Sequence, residues 1–223
     1  MNIIDFLFPK KCFGCGALGN YFCKICAQSL LVQKQICIEC FRPSVDGKTH
    51  FRCQKKFSLD GFTIAYVYEG AIKKALTSLK YKFAYDIAFE LAKMVVIRLL
   101  EISFLFPDNS LIIPVPLYKK RENWRGFNQS EILAKELAKF IEYEHKIGLI
   151  VKIKDHKVQA RLSRTERLKN AKNIYKVLDQ KGIYGRNIIL VDDVVTTGAT
   201  LREIGKVLKI NGAKSVWGVA IAH

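Results

Sequence analysis

Apolar positions along this chain recur at two spacings, and the switches between them mark out its elements. Ile188 to Val191 is an unbroken apolar run, the pattern of a central strand in a parallel sheet covered on both faces. Leu111 to Val115 and Ser215 to Ile221 predict two more strands, and Phe62 to Tyr68 and Leu149 to Ile153 predict another pair. Between these runs the spacing lengthens. Ile87, Leu91, Met94 and Val95 step along one face of a helix over 86–102. Leu201, Ile204, Val207 and Leu208 do the same over 199–210, and further helices are expected over 70–80, 129–140 and 162–173. Pro107-Asp108-Asn109 reads as a turn. Strands alternating with helices predict an α/β fold with a parallel sheet and right-handed crossovers.

The first 56 residues do not share this rhythm. All seven cysteines fall between 12 and 53, as Cys12-x-x-Cys15, Cys23-x-x-Cys26 and Cys37-x-x-Cys40, and His50-x-x-Cys53 closes the series. The histidine completes the odd cysteine, so eight soft ligands are available, enough for two tetrahedral zinc sites. Disulfides fit poorly, because the count is odd and His50 would be left unexplained. Sequential pairing (12, 15, 23, 26, then 37, 40, 50, 53) is the simpler arrangement; a cross-braced pairing stays open. A unit with so few large apolar groups needs its metal to fold. The expected organisation is a zinc-binding unit over 1–56 and an α/β domain over 57–223. His145, His156 and His223 have no partner pattern and are expected at the surface.

Composition narrows the class. Half of the 223 residues are hydrophobic, which supports a substantial core and excludes a disordered chain. Met1 to Pro9 is too short and lacks the basic start of a secretory signal. The longest apolar stretch, Met94 to Phe106, is interrupted by Arg98 and Glu101 and does not span a bilayer. A soluble, cytoplasmic protein is expected. The net charge is +17, from 37 basic against 20 acidic residues, which points to a polyanionic partner and above all to nucleic acid. Residues 146–176 hold ten of the Lys/Arg and only Asp155 and Glu166 as acids.

The chemistry concentrates after the strand at 188–191. Asp192 and Asp193 stand at its carboxyl end, where open α/β sheets place their ligands. Thr196, Thr197, Gly198, Ala199 and Thr200 then lead into a helix, whose free N–H groups and positive dipole end suit a phosphate dianion. The adjacent carboxylates can accept hydrogen bonds from two vicinal ribose hydroxyls, or help to hold a metal. A plain capped turn would need neither the paired acids nor so many threonines. No Gly-x-x-x-x-Gly-Lys-Ser/Thr loop occurs, and no Gly-x-Gly-x-x-Gly fingerprint follows any of the predicted strands.

A second constellation follows the strand at 111–115: Lys119, Lys120, Arg121, Trp124, Arg125, Gly126, Phe127, Asn128 and Gln129. It falls at another strand's carboxyl end, so it belongs on the same edge of the sheet as the paired acids. Arginines there suit pyrophosphate, Trp124 between basic residues suits stacking on a nucleobase, and a solvated basic loop is the plain alternative. The basic stretch Gln159 to Asn170 reads as a mobile flap, a phosphate-tracking surface or a solvated helix.

Several of these pieces occur together in one family. The four-pair cysteine/histidine array, Pro-Val-Pro-Leu at 114–117, Arg-Gly-Phe-Asn-Gln at 125–129, the Gln159…Asn170 segment and Val-Asp-Asp-Val-Val-Thr-Thr-Gly-Ala-Thr at 191–200 resemble the ComF/ComFC competence family. The last run is similar to the 5-phosphoribosyl-1-pyrophosphate (PRPP) motif of type I phosphoribosyltransferases. The resemblance implies a type I phosphoribosyltransferase-like parallel sheet flanked by helices, with a small N-terminal zinc-binding domain. It implies that Asp192 and Asp193 bind the ribose hydroxyls, that Thr196 to Thr200 wrap the 5-phosphate, and that Mg²⁺ helps to hold the pyrophosphate. Lys80 matches a basic position of the family that reaches the pyrophosphate. The implied role is the handling of incoming single-stranded DNA in natural transformation, beside a helicase-like partner. An active phosphoribosyltransferase is the alternative, and no residue stands out as its general base. His50 departs from the cysteine many relatives carry, yet keeps zinc coordination available.

Overall fold

The structure is a computed structural model and describes residues 9–79, 84–102, 104–154 and 174–223. Among these residues the central sheet is built from β1 (Gly61–Tyr66), β2 (Leu111–Pro114), β3 (Glu144–His145), β6 (Asn187–Val194) and β7 (Ser215–Ala222), ordered β1-β7-β6-β2-β3. Every adjacent pair is parallel. The strand predicted to be central is central: Ile188 to Val191 pairs with Leu111 to Pro114 on one side and with Val216 to Val219 on the other. Its side chains alternate between the two faces, as the strand repeat requires. Ile189 and Val191 join one buried cluster, and Ile188 and Leu190 join the other.

The helices that bury these faces lie close to their expected positions. α2 (Gly70–Ser78), α3 (Ala84–Glu101) and α5 (Gln129–Ile141) carry residues of the first cluster, among them Leu76, Leu91 and Leu133. α6 (Ala199–Ile210) turns Leu201, Ile204 and Leu208 into the second. No described helix is long and apolar enough to cross a membrane.

Two features differ from the pattern-based reading. The stretch expected as a further sheet strand forms β4 (Ile150–Lys152), which pairs antiparallel with β5 (Tyr175–Val177) in a separate ribbon. Residues to which the pattern assigned no element form the short helix α4 (Lys119–Arg125), ended by Gly126 at φ +85°. The predicted helix at 162–173 lies outside the described residues, as do Lys80 and the Gln159–Asn170 segment.

Among the described residues the cysteine-rich segment contributes a short α-helix, α1 (Lys24–Gln28), and two 3-10 turns (Val45–Gly47 and Phe51–Cys53), and packs on the sheet rather than apart from it. Residues 31–36 run along the outer edge of β1. The Gln33 N–H donates to Ala65 O at 3.1 Å and the Val67 N–H to Leu31 O at 2.9 Å. The Gln35 side-chain amide completes the seam, giving its Nε2–H to Ile64 O at 2.8 Å and taking the Ile64 N–H at 3.2 Å. Ile36 and Ile38 enter the second buried cluster directly.

Candidate functional site

The paired acids stand where β6 leaves the sheet. Asp192 is buried and Asp193 half-buried. The Asp192 carboxylate accepts the Asp193 N–H at 2.9 Å and the Ser130 hydroxyl at 3.0 Å, while Asp193 Oδ1 accepts the Val194 N–H at 2.8 Å. Removal from water raises the Asp192 carboxyl well above the usual carboxylate range, and the Asp193 charge adds to the rise.

The turn that follows encloses a hollow of about 50 Å³, lined by Asp192, Val194, Val195 and residues 196–201. Gly198 occupies the N-cap of α6 at φ +64° and offers no side chain to cap the helix. The turn's N–H groups therefore face the hollow's chemistry rather than a built-in carboxylate. The Val195 N–H is taken by Ala222 O at 3.0 Å, and the Ala199 N–H is drawn back to Thr197 Oγ1 at 3.4 Å. A Cβ at Gly198 would sit 2.7 Å from Ile38 Cδ1, so glycine is needed for space as well as for its backbone angle. Such a hollow takes a small polyoxyanion, with hydroxyl groups of the same ligand reaching the acids.

The second constellation divides by role. Asn128 caps α5, its Oδ1 accepting the Ser130 N–H at 3.1 Å and its Nδ2 donating to Val115 O at 3.0 Å. Asn128, Gln129 and Ser130 are buried, so this part of the motif fixes the start of α5 and aims Ser130 at Asp192. Lys119, Lys120, Arg121 and Trp124 lie outward on α4, with Trp124 84% exposed and Arg125 half-buried. The cap, by contrast, reaches the acids through Ser130.

Pattern reading missed Ser130, Tyr175 and Arg202. Tyr175, from β5, is buried, and this burial raises its pKa, with the charges of Glu203 and Asp192 adding to the rise and the Thr200 hydroxyl opposing it. Arg202 holds the turn from beneath, giving Nη2–H to Thr197 O at 2.9 Å and Nη1–H to Ile38 O at 2.8 Å. His145 and His223 are half-buried rather than at the surface, because each sits where its strand leaves the sheet. His223 Nδ1 contacts Val195 O at 2.9 Å, and burial lowers the pKa of His145.

The metal centres follow the sequential pairing. Cys12, Cys15, Cys23 and Cys26 converge in one cluster and Cys37, Cys40, His50 and Cys53 in the other, with all ligand atoms of a cluster within 4.8 Å of one another. Cys15 Sγ and Cys23 Sγ are 3.7 Å apart, close to the ~3.8 Å edge of a tetrahedron with ~2.3 Å Zn–S bonds. In the second cluster His50 Nδ1 lies 3.4 Å from Cys40 Sγ, while Nε2 is 3.0 Å from Pro43 O. That carbonyl takes the Nε2 proton and leaves the Nδ1 lone pair for a metal. The Cys23 and His50 N–H groups point at Cys12 and Cys37 Sγ, at 3.4 and 3.5 Å. The Cys23 N–H lowers the Cys12 thiol to about 6, while the surrounding thiols push Cys26 up to about 12. Four thiols this close need a cation to be thiolates together, and the donors fit two structural zinc ions.

Comparison with known proteins agrees with both halves. Residues 125–222 match the family model described as "Phosphoribosyl transferase domain", and residues 3–54 match "Double zinc ribbon domain". The chain is 30% identical over 220 residues to "DNA utilization protein YhgH" of Escherichia coli O157:H7, covering 93% of this chain and 94% of the relative. It is 26% identical over 220 residues to "Competence protein ComFC" of Bacillus subtilis (strain 168), covering 91% of this chain and 79% of the relative. The chain belongs to the ComF family. "Competence protein F" of Haemophilus influenzae is 39% identical over 114 residues, half of each chain. In this ComF-family chain the double zinc ribbon contains both metal clusters, and the phosphoribosyl transferase domain contains the paired acids, the hollow and the Ser130 helix.

Proposed function

We propose that the hollow at 194–201 binds the 5-phosphate of PRPP or a related phosphoribosyl group, while Asp192 and Asp193 hold the ribose hydroxyls. The observation that carries this reading is the uncapped start of α6 directly beside two carboxylates, one of them aimed by Ser130. A phosphate dianion suits the first part and vicinal hydroxyls suit the second. Mg²⁺ bound with the ligand would neutralise its pyrophosphate, and the half-buried Asp193 is the more accessible of the two carboxylates to meet it. Calorimetry tests the assignment: Asp192→Ala with Asp193→Ala, folded by circular dichroism, should lose PRPP binding. Unchanged affinity would remove the pocket.

The wider role we propose is that of a cytoplasmic competence protein that handles incoming single-stranded DNA alongside a helicase-like partner, with the zinc unit of 1–56 fused to the ligand-binding domain of 57–223. The names of the relatives support it, as do the net charge of +17 and the exposed Trp124 among the basic residues of α4. An active phosphoribosyltransferase is the second reading, favoured by the domain match. Among the described residues lining the hollow, Asp192 alone carries an ionisable side chain, which leaves little provision there for proton transfer to or from an acceptor. Release of pyrophosphate from PRPP, screened across nucleobases and DNA ends with Mg²⁺, decides between the two.

A further inference from the structure

The floor beneath the phosphate turn comes from the second metal centre. Arg202, in the first turn of α6, joins Thr197 O to Ile38 O, and Ile38 lies inside the Cys37-x-x-Cys40 knuckle. The two carbonyls come from segments 160 or so residues apart in sequence, and a planar guanidinium is the side chain shaped to span them. Ile38 is fully buried, and Gly198 rests so closely on it that a Cβ would lie 2.7 Å from Ile38 Cδ1 and 3.3 Å from Phe41 Cζ. Phe41, the residue after Cys40, has φ +58° and sets its ring 5.3 Å from that of His223, whose Nδ1 meets Val195 O at 2.9 Å. Residues 195, 197 and 198 are thus each seated, directly or through one side chain, on residues 38–41.

The shape of that knuckle is set by its ligands. Cys37 and Cys40 are drawn together with His50 and Cys53 around one point; the His50 N–H points at Cys37 Sγ at 3.5 Å, and the Cys37 N–H closes the knuckle by donating to Arg42 O at 2.9 Å. We propose that Arg202 is a positioning residue that makes the geometry of the 196–200 turn depend on zinc in the second centre, so that zinc there and a sugar phosphate in the hollow strengthen each other's binding. This rests on the phosphoribosyl reading of the hollow. Such coupling is reciprocal, because each ligand favours the same arrangement of one shared element.

The full-length protein provides the test. His50→Ala should lose one zinc and bind PRPP about tenfold more weakly by calorimetry, and His50→Cys should restore both. Arg202→Ala should weaken PRPP binding comparably while keeping its zinc, and the double variant should bind no more weakly than either single one. Additive losses, or wild-type affinity in a folded His50→Ala protein, overturn the proposal. Should His50→Ala fail to fold, chelator competition serves instead. Saturating PRPP should raise zinc retention at one centre about tenfold in wild type and not in Arg202→Ala; equal retention with and without PRPP overturns it. If wild type binds no PRPP, the pocket assignment fails by itself, and amide hydrogen exchange at 196–200 reads the coupling. Exchange there should quicken when zinc is stripped from wild type, and unchanged exchange overturns the proposal.

Discussion

Beneath the Ser130 hydroxyl and beside Asp193, the Asp192 carboxyl is pushed upward first by loss of solvent and then by its neighbour's charge. Folding therefore favours its protonated form. The stability it contributes is complete below the unfolded value of ~3.9 and is lost as pH rises from there through the raised folded value. Asp192→Asn removes the buried charge and keeps the shape, so urea denaturation at pH 7.5 should show it more stable than wild type by on the order of 1 kcal/mol. The gap should close toward pH 4. A variant less stable at pH 7.5 would show that the charge itself holds the fold. Asp192, Asp193 and the threonines were legible as a candidate site because they are contiguous in the chain. Ser130 meets Asp192 across 62 residues and Arg202 meets Ile38 across 164, and no local pattern reports a partner at that distance.

Elements whose apolar positions repeat over several turns or on both strand faces were legible: β2, β6, β7, α3, α5 and α6 all lie close to their expected spans. The ribbon of β4 and β5 was not, because a three-residue run carries no signal of its pairing direction. Helix α4 was hidden for another reason. Lys119 to Arg125 offers no apolar stripe and buries none of its residues, so its turns stand on backbone hydrogen bonds, such as Gly126 N–H to Glu122 O at 2.7 Å, and on the Gly126 cap. An outward helix carrying a bare indole among cations suits stacking on unpaired bases. Trp124→Ala should weaken single-stranded DNA binding about tenfold, the loss of one stacked base, and binding by wild type should fall steeply with salt. Fluorescence anisotropy at two salt concentrations measures both. A flat salt profile, or a variant that binds as wild type does, would move the contact away from α4.

On the scale of the whole molecule, fold class and the metal-rich beginning were readable from spacing and resemblance, and the candidate site was assigned to the carboxyl edge of the sheet on the same grounds. How the two parts join was not. Stripping both centres with a strong chelator should release about two zinc ions per chain, on the eight-ligand arrangement; release of one would retire one centre. The seam along β1 gives that loss a consequence beyond ligand binding. Residues 31–36 occupy hydrogen-bonding groups of Ala65, Ile64 and Val67 that a terminal strand otherwise offers to any passing chain. A metal-starved copy that let this segment swing away would display a naked apolar ribbon, ready to recruit its own kind, so zinc shortage should first be seen as turbidity.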